Sequence, residues 1–134
     1  MSLINLPATI LDSAGVAVPD NFMGKSLTGL LENNGNKNVE WEDEIYTQIS
    51  ESKTARSIRT PKWKYAVASD ENPWLTGEAA EYYEEFLYDL ENDPHEQNNL
   101  VKDKNLEAER ENLSQIMIKH MNRAGEKTPV IRQM

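Results

Sequence analysis

Two strand-like runs joined by a tight turn lie near the middle of the chain, in ARSIRTPKWKYAVA, residues 55–68. Apolar and polar side chains alternate along each run, which is the two-residue period of a half-buried β-strand. Pro61 and Lys62 supply the turn between the runs. Because tight turns join antiparallel strands, the stretch predicts a hairpin with one face against a core.

Two further segments extend the predicted sheet. Residues 45–50 alternate in the same way and lie shortly before the hairpin. A long irregular loop, residues 70–83, follows the hairpin, and loops of this length are often functional. The last strand is expected to carry Phe86, Tyr88 and Leu90 on one face and Leu87 on the other.

The strongest helical pattern lies near the C-terminus. Asp103 or Asn105 can cap its start, and Gly125 stands at its end. An amphipathic helix needs an apolar surface to cover, and the predicted sheet offers one. The sequence therefore predicts an α+β fold, a small four-stranded antiparallel sheet packed by a long C-terminal helix. The apolar face of that helix comprises Leu106, Leu113, Ile116, Met117, Met121 and Ala124.

An N-terminal helix is predicted from apolar residues at helical spacing between Leu3 and Ala14, with Gly15 to end it. A helix that starts this close to Met1 suggests that its upstream partner is missing. We therefore expect two parts. Residues 1–38 form the truncated edge of a larger domain, and residues 39–134 form a C-terminal subdomain.

Composition excludes several classes of protein. The chain has 134 residues, 14 Lys and Arg against 23 Asp and Glu, a net charge of −9 and no Cys. The acidic surplus argues against a nucleic-acid partner, and no apolar run is long enough to cross a membrane. Without Cys there is neither a disulfide nor a thiolate nucleophile. At 38% hydrophobic residues, the core is lean and is expected to depend on a partner.

Few residues could carry chemistry by themselves. His95 and His120 lie in no metal-ligand spacing, so we interpret them as a turn residue and a helix-end cation. No nucleophile elbow, phosphate-binding loop or zinc motif occurs. Arg56 and Arg59 point to opposite faces of one strand, so at most one of them faces a ligand. Pairing of both with the surplus carboxylates is the favoured alternative.

A turn rich in acidic residues follows the last predicted strand. Asp89, Asp93 and Glu96 could converge as catalytic carboxylates. The run at 92–94, Asn-Asp-Pro, is however typical of a turn in which the side chain bonds the backbone. We favour the structural interpretation, in which Asn99 also bonds local backbone groups.

Six segments occur in a characteristic order: LINLPATILDSAG (3–15), VP (18–19), GKSL (24–27), QISES (48–52), RSIRTPKWKY (56–65) and FLYDLENDPHEQNNL (86–100). Together they resemble the C-terminal region of the sulfatase family, within the alkaline-phosphatase-like superfamily. Each segment alone is moderately specific. Their order and spacing over nearly the whole chain make the resemblance strong.

The resemblance implies that this chain follows a catalytic domain in a longer hydrolase of sulfate esters, and that the N-terminal helix belongs to the edge of that domain. In the family, the catalytic domain supplies a formylglycine nucleophile and the calcium ligands. The chain alone is therefore expected to hold no cofactor and to be inactive, completing the fold and lining the substrate cleft. Its expected partners are the missing catalytic domain and, in the longer enzyme, a sulfated small molecule or glycan. The isolated chain is expected to self-associate.

The resemblance also implies roles for individual residues. Loops of this region can line the rim of the active-site cleft, which favours residues 48–56 and 70–83 as substrate contacts. No catalytic and no metal-binding residue is expected here. The substrate-contact candidates are Gln48, Glu51, Ser52 and Arg56. The structural motif residues are Arg59, Thr60, Lys64, Tyr65, Asp89, Asp93, Pro94, Glu96 and Asn99.

Two alternatives stay open. Phosphodiesterases and phosphonate hydrolases have similar C-terminal regions, so this region alone does not separate sulfate from phosphate chemistry. A stand-alone module could instead bind an anionic glycan through Arg56, Arg59, Lys62 and Lys64. The net charge of −9 opposes that interpretation, because it repels polyanions.

Overall fold

A computed structural model describes residues 2–32, 41, 43–72, 74–75 and 77–133. The chain divides into two compact units, Met1–Asp43 and Glu44–Met134. The first unit holds the helices α1 (Asn5–Ser13) and α2 (Thr28–Glu32). The second holds the strands β1 (Ile45–Ser50), β2 (Thr54–Arg59), β3 (Trp63–Ser69), β4 (Glu81–Asp89) and β5 (Val130–Arg132), a 3-10 turn (Lys104–Leu106) and the helix α3 (Glu107–Arg123).

In the first unit, polar residues of α1 bind the segment that leads into α2. Asn5 Oδ1 accepts from the Lys25 amide at 3.0 Å, and Thr9 Oγ1 accepts from the Leu27 amide at 3.0 Å. One turn further on, the Asp12 carboxylate accepts from the hydroxyls of Ser26 and Thr28. These hydrogen bonds, that of Ser26 first, lower the pKa of Asp12.

Two glycines shape this unit. Gly15 has φ +71° at the end of α1, which confirms it as the residue that ends the helix. A Cβ on Gly24 would lie 1.9 Å from the backbone oxygen of Ile4, so only glycine allows this close approach. The apolar side chains of Leu3, Leu6 and Ile10 are exposed, because α1 turns its polar face to the 24–28 segment.

The sheet of the second unit has five strands in the order β1-β2-β3-β4-β5. The first four form an antiparallel meander, and the predicted hairpin pairs Ile58 with Tyr65. The prediction of four antiparallel strands is wrong in one respect, since β5 pairs in parallel with the start of β4 and makes the sheet mixed. With three residues just after Pro129, β5 is too short to show a period in the sequence.

Helix α3 is confirmed, with a 3-10 turn before it. Asp103 is the cap of that turn, because its side chain accepts from the Asn105 amide at 2.9 Å. Gly125 follows the helix with φ +86°. Within the part of the chain that the structure describes, no helix combines the length and the apolar character needed to cross a bilayer.

The core contains Ile58, Trp63, Tyr65, Val67, Ala79, Tyr82, Leu87, Val101, Leu113, Met117 and Met121.

The predicted opposite faces of Phe86 and Leu87 in β4 are confirmed, and the face that carries Leu87 lies against the core. Leu87 is fully buried, whereas Phe86 is 38% exposed and stacks on Tyr88 at 5.9 Å between ring centroids. A β-bulge lies just before Phe86, because Ala66 pairs with Phe86 while Val67 pairs with Glu84. The extra residue, Glu85, shifts the alternation so that Glu84 and Leu87 both face the core.

The register of β4 can be tested by truncating neighbouring side chains. Leu87→Ala is expected to lower the free energy of unfolding by about 2–5 kcal/mol, because it opens a cavity in the core. Phe86→Ala, the matched control on the outer face, is expected to cost at least about 1 kcal/mol less. Urea denaturation measures both variants. A larger loss for Phe86→Ala would contradict the register.

Candidate substrate-facing site

Two loops meet at one end of the sheet. The first is the turn between β1 and β2, residues 51–53, and the second is the connection between β3 and β4, residues 70–80. Ser50 Oγ, at the end of β1, donates to the backbone oxygen of Gly77 in the second loop at 2.6 Å. Arg56 Nη2 donates to the same oxygen at 2.7 Å. The two loops are therefore joined at Gly77.

Arg56 is buried beneath both loops, with 2% of its surface exposed. Its Nε lies 3.0 Å from each carboxylate oxygen of Glu126. Its Nη1 donates to the backbone oxygens of Ile49 and Ala55, both at 2.9 Å, and to Ser50 Oγ at 3.1 Å. Every guanidinium nitrogen thus donates to an acceptor within the chain.

Glu126 also accepts a hydrogen bond from a tyrosine. The Tyr46 hydroxyl donates to its Oε1 at 2.7 Å. Burial, and then this hydrogen bond to a carboxylate, raise the pKa of Tyr46. The Tyr46 ring stacks on His120 at 5.9 Å, and His120 Nε2 lies 2.9 Å from Glu44 Oε2. His120 thus contacts an aromatic ring and a carboxylate in addition to its place near the end of α3.

The other substrate-contact candidates lie on the surface beside this cluster. Gln48 is exposed on β1, an edge strand of the sheet, directly opposite Arg56 in the register. Glu51 and Ser52 are exposed in the turn after β1. In the second loop, Trp74 is 75% exposed, and its amide donates to Asn72 Oδ1 at 3.0 Å. The structure thus gathers Glu51, Ser52 and Arg56 at one hairpin.

A second buried ion pair lies under the sheet. Arg110 Nε, on α3, lies 3.0 Å from Oε2 of Glu84 on β4, and both residues are at least 96% buried. The Tyr65 hydroxyl donates to Glu84 Oε1 at 3.0 Å, and Arg110 Nη1 donates to the Asp103 backbone oxygen at 2.7 Å. Burial and the neighbouring carboxylate raise the pKa of Tyr65.

The motif residues at the end of β4 and after it form a turn in which side-chain carboxylates accept hydrogen bonds from the turn's own backbone amides. The Asp89 carboxylate accepts from the amides of Glu91 and Asn92 and from the Asn92 side chain, and the last bond contributes most to the lowered pKa of Asp89. Asp93 Oδ2 accepts from the Asn98 amide at 2.7 Å. Backbone donors, that of Gln97 first, lower the pKa of Asp93. Pro94 is exposed within this turn.

The remaining motif residues tie that turn to the sheet. Glu96, at φ +56°, binds Arg59 at 3.3 Å and also binds Lys64. Asn99 accepts from the amides of Leu87 and Val101 and donates to the backbone oxygen of Glu85, so its amide group caps the bulged strand. At the hairpin, the Trp63 amide donates to the Thr60 hydroxyl at 2.8 Å.

The structure pairs the four cations of the hairpin with carboxylates. Arg56 binds Glu126, Lys62 lies 4.0 Å from Glu91, and Arg59 and Lys64 share Glu96. This is the favoured alternative for the two arginines. Sequence reasoning missed Glu126 as the partner of Arg56 and Glu84 as the partner of Arg110. For Arg110 the available signal was its place at helical spacing between Leu106 and Leu113 of the predicted apolar face.

Comparison with known proteins gives the family. The family described as N-sulphoglucosamine sulphohydrolase, C-terminal, matches residues 1–123. An arylsulfatase of Clostridium perfringens is 30% identical over 122 residues, which cover 90% of this chain and 22% of that enzyme. An N-acetylglucosamine-6-O-sulfatase of Bacteroides thetaiotaomicron is 26% identical over 118 residues, which cover 85% of this chain and 20% of that enzyme.

Solved structures agree. BT4656 in complex with its substrate, D-glucosamine-2-N,6-O-disulfate, is similar with a TM-score of 0.75 and 26% identity over 93% of this chain and 24% of that one. BT1596, a 2-O GAG sulfatase, is similar with a TM-score of 0.69 and 26% identity over 90% of this chain and 24% of that one.

These matches define the class of the protein, the C-terminal region of a sulfatase. The chain belongs to the family of N-sulphoglucosamine sulphohydrolase C-terminal regions. It spans about a fifth of the length of the curated relatives that it matches.

The buried tyrosines predict how stability depends on pH. A tyrosine whose pKa is raised in the folded state stabilises the fold below its unfolded pKa of about 10, and this contribution is lost as the pH rises above that value. The free energy of unfolding is therefore expected to fall above about pH 10. In Tyr65→Phe the fall should be shallower, because one such group is removed. Denaturation at successive pH values measures both chains, and equal slopes would contradict the assignment.

Proposed function

We propose that this chain is the C-terminal part of a sulfuric ester hydrolase, in which it completes the fold and lines the substrate cleft. The observation that carries the proposal is the family match over residues 1–123, which includes the strands β1 to β4 and the whole of α3. Relatives that it matches at about a fifth of their length are sulfatases by name. A fragment of a longer enzyme is the simplest account of that coverage.

We propose a sulfated saccharide as the substrate of the longer enzyme. The names of similar proteins support this class, since they include an N-acetylglucosamine-6-O-sulfatase and a 2-O GAG sulfatase. The sulfatase relatives also favour sulfate over phosphate chemistry. An aryl sulfate is the second candidate, supported by the relative from Clostridium perfringens.

The reactive groups of the proposed enzyme belong to its other part. Formylglycine and calcium are the cofactors implied for the longer protein, and this chain does not fit either of them. The sequence has no Cys to modify, and the described residues hold no group of three or more His, Asp or Glu suited to a metal ion. The chain alone is therefore proposed to be inactive, and no step of the reaction is assigned to its residues.

Substrate contact is proposed for the exposed residues of the two loops. Gln48, Glu51 and Ser52 offer amide, carboxylate and hydroxyl groups to sugar hydroxyls, and Trp74 offers an exposed ring to a sugar face. Arg56 is proposed to support these residues from below, because its donors already bond within the chain. A stand-alone glycan-binding module is disfavoured, since the cations of the hairpin pair with carboxylates.

The proposal that the chain supports a catalytic domain can be tested by a chimera. This chain replaces the matching segment of the Clostridium perfringens arylsulfatase. The chimera is expected to hydrolyse an aryl sulfate, whereas the isolated 134-residue chain shows no turnover. The control is the same arylsulfatase lacking the segment. A folded chimera without activity, or turnover by the isolated chain that survives purification and chelation, would contradict the proposal.

The proposed contacts can be tested in a second chimera, in which this chain replaces the matching segment of the N-acetylglucosamine-6-O-sulfatase of Bacteroides thetaiotaomicron and which is assayed on a 6-O-sulfated N-acetylglucosamine. Replacing Gln48 and Ser52 together by Ala is expected to raise KM by about tenfold, the loss of roughly one good hydrogen bond, with kcat nearly unchanged. Gln97→Ala, an exposed amide in the turn after β4, is the matched control and should leave KM unchanged. Steady-state kinetics measure all three proteins. An unchanged KM in the double variant would remove these residues from the contact surface.

A further inference from the structure

We propose that Arg56 and Glu126 form a clamp, through which the C-terminal segment, residues 126–132, sets the geometry of the two loops at the end of the sheet. In this proposal Arg56 is a positioning residue rather than a substrate ligand. Its consequence for substrate binding rests on the function proposed above. The clamp itself rests on contacts within the chain.

The Arg56 guanidinium binds backbone oxygens of both loops. Its bonds to the backbone oxygens of Ile49 and Ala55 lie on the two sides of the 51–53 turn, and its bond to Gly77 lies in the second loop. A planar fork with five donors can hold several acceptors in fixed relative positions. One buried side chain therefore fixes both loops at once.

The negative charge that pairs with Arg56 comes from outside the two loops. Glu126 faces Arg56 with both carboxylate oxygens, and it lies outside the hairpin, just after α3. A buried guanidinium without a partner is strongly unfavourable. The arrangement of Arg56 beneath the loops is thus stable only while residue 126 stays docked.

The same C-terminal segment also contacts the end of the second loop, next to β4. The Lys127 amide donates to Glu78 Oε2 at 3.0 Å, and the Val130 amide donates to the backbone oxygen of Ala80 at 2.9 Å. The pairing of β5 with β4 continues this contact from Glu81. Because binding equilibria are reciprocal, loosening the clamp should loosen both the loop and the C-terminal segment.

The chain provides a matched control in its second buried pair. Arg110 and Glu84 have the same Nε to Oε2 distance of 3.0 Å, and their side chains are 5% and 1% exposed, against 1% and 10% for Arg56 and Glu126. Arg110 bonds to Glu84 and to the backbone oxygen of Asp103 rather than to Gly77 or the hairpin oxygens. A variant of this pair removes a comparable interaction from the fold without touching the proposed clamp.

The test is amide hydrogen exchange of the 134-residue chain. Arg56→Lys is expected to speed exchange at the amides of Ala79, Lys127 and Val130 by tenfold or more, since lysine keeps the charge but loses the fork. Glu126→Gln, which keeps the shape of the side chain, should do the same if Arg56→Lys does not fold. Arg110→Lys and Glu84→Gln should leave these three amides within about threefold of the unchanged chain, on the reasoning that separate sites act independently. Unchanged exchange in both clamp variants, or equal acceleration in the control variants, would overturn the clamp.

Kinetics separate the clamp from the proposed function. In the N-acetylglucosamine-6-O-sulfatase chimera, Arg56→Lys is expected to raise KM tenfold or more with little change in kcat, whereas Arg110→Lys should change neither. Faster exchange together with an unchanged KM would keep the clamp and overturn the substrate-contact role of the loops. Unchanged exchange together with a raised KM would overturn the clamp and indicate a direct contact between Arg56 and substrate.

Discussion

The buried ion pair between Arg56 and Glu126 is the interaction on which this end of the protein depends. Two charges removed from water are costly unless further hydrogen bonds satisfy them. Here the surroundings meet that condition, since the guanidinium binds three backbone oxygens and the carboxylate also accepts from Tyr46. Such a network tolerates one arrangement of its neighbours, and those neighbours are the two loops beside the substrate-contact candidates.

The core also contains a buried, hydrogen-bonded ion pair. A lean set of apolar residues lies between the sheet and α3, and the Glu84–Arg110 pair crosses it with the Tyr65 hydroxyl. Polar groups inside a small core specify how its parts meet, because each has few alternative partners. In the turn after β4, at the surface, polar side chains likewise bind specific partners. Those of Asp89, Asp93 and Asn99 accept hydrogen bonds from backbone amides.

Much of the fold could be predicted from the sequence, and the failures have physical causes. The hairpin around Pro61 and the helix near the C-terminus have clear periods and end signals, so both are confirmed. The strand β5 was not predicted, because three residues are too few to show a hydrophobic period. Its parallel partner, the start of β4, is also far away in the sequence. The opposite faces of Phe86 and Leu87 were predicted correctly, but the β-bulge before Phe86 was not, because the predicted alternation covered only the residues after it.

The candidate site divides in the same way. The hairpin cations and the acidic turn are recognisable from residue types and local spacing. The choice of Glu126 as partner of Arg56 depends on the path of the chain after α3, which brings together residues 70 positions apart. Local patterns contain no information on that path. The resemblance identified the family, but it did not identify this pair.

The bulge at Glu85 has a consequence for how this strand can evolve. It allows a buried acid, Glu84, and a buried leucine, Leu87, to share one side of β4 although an odd number of steps separates them. Deleting the codon for Glu85 would leave these two residues two positions apart, so an uninterrupted strand would keep both of them on the inward face. A single deletion elsewhere in the paired strand would instead turn the inward residues of one half to the outer face, so the bulge is the position at which this strand can lose one residue.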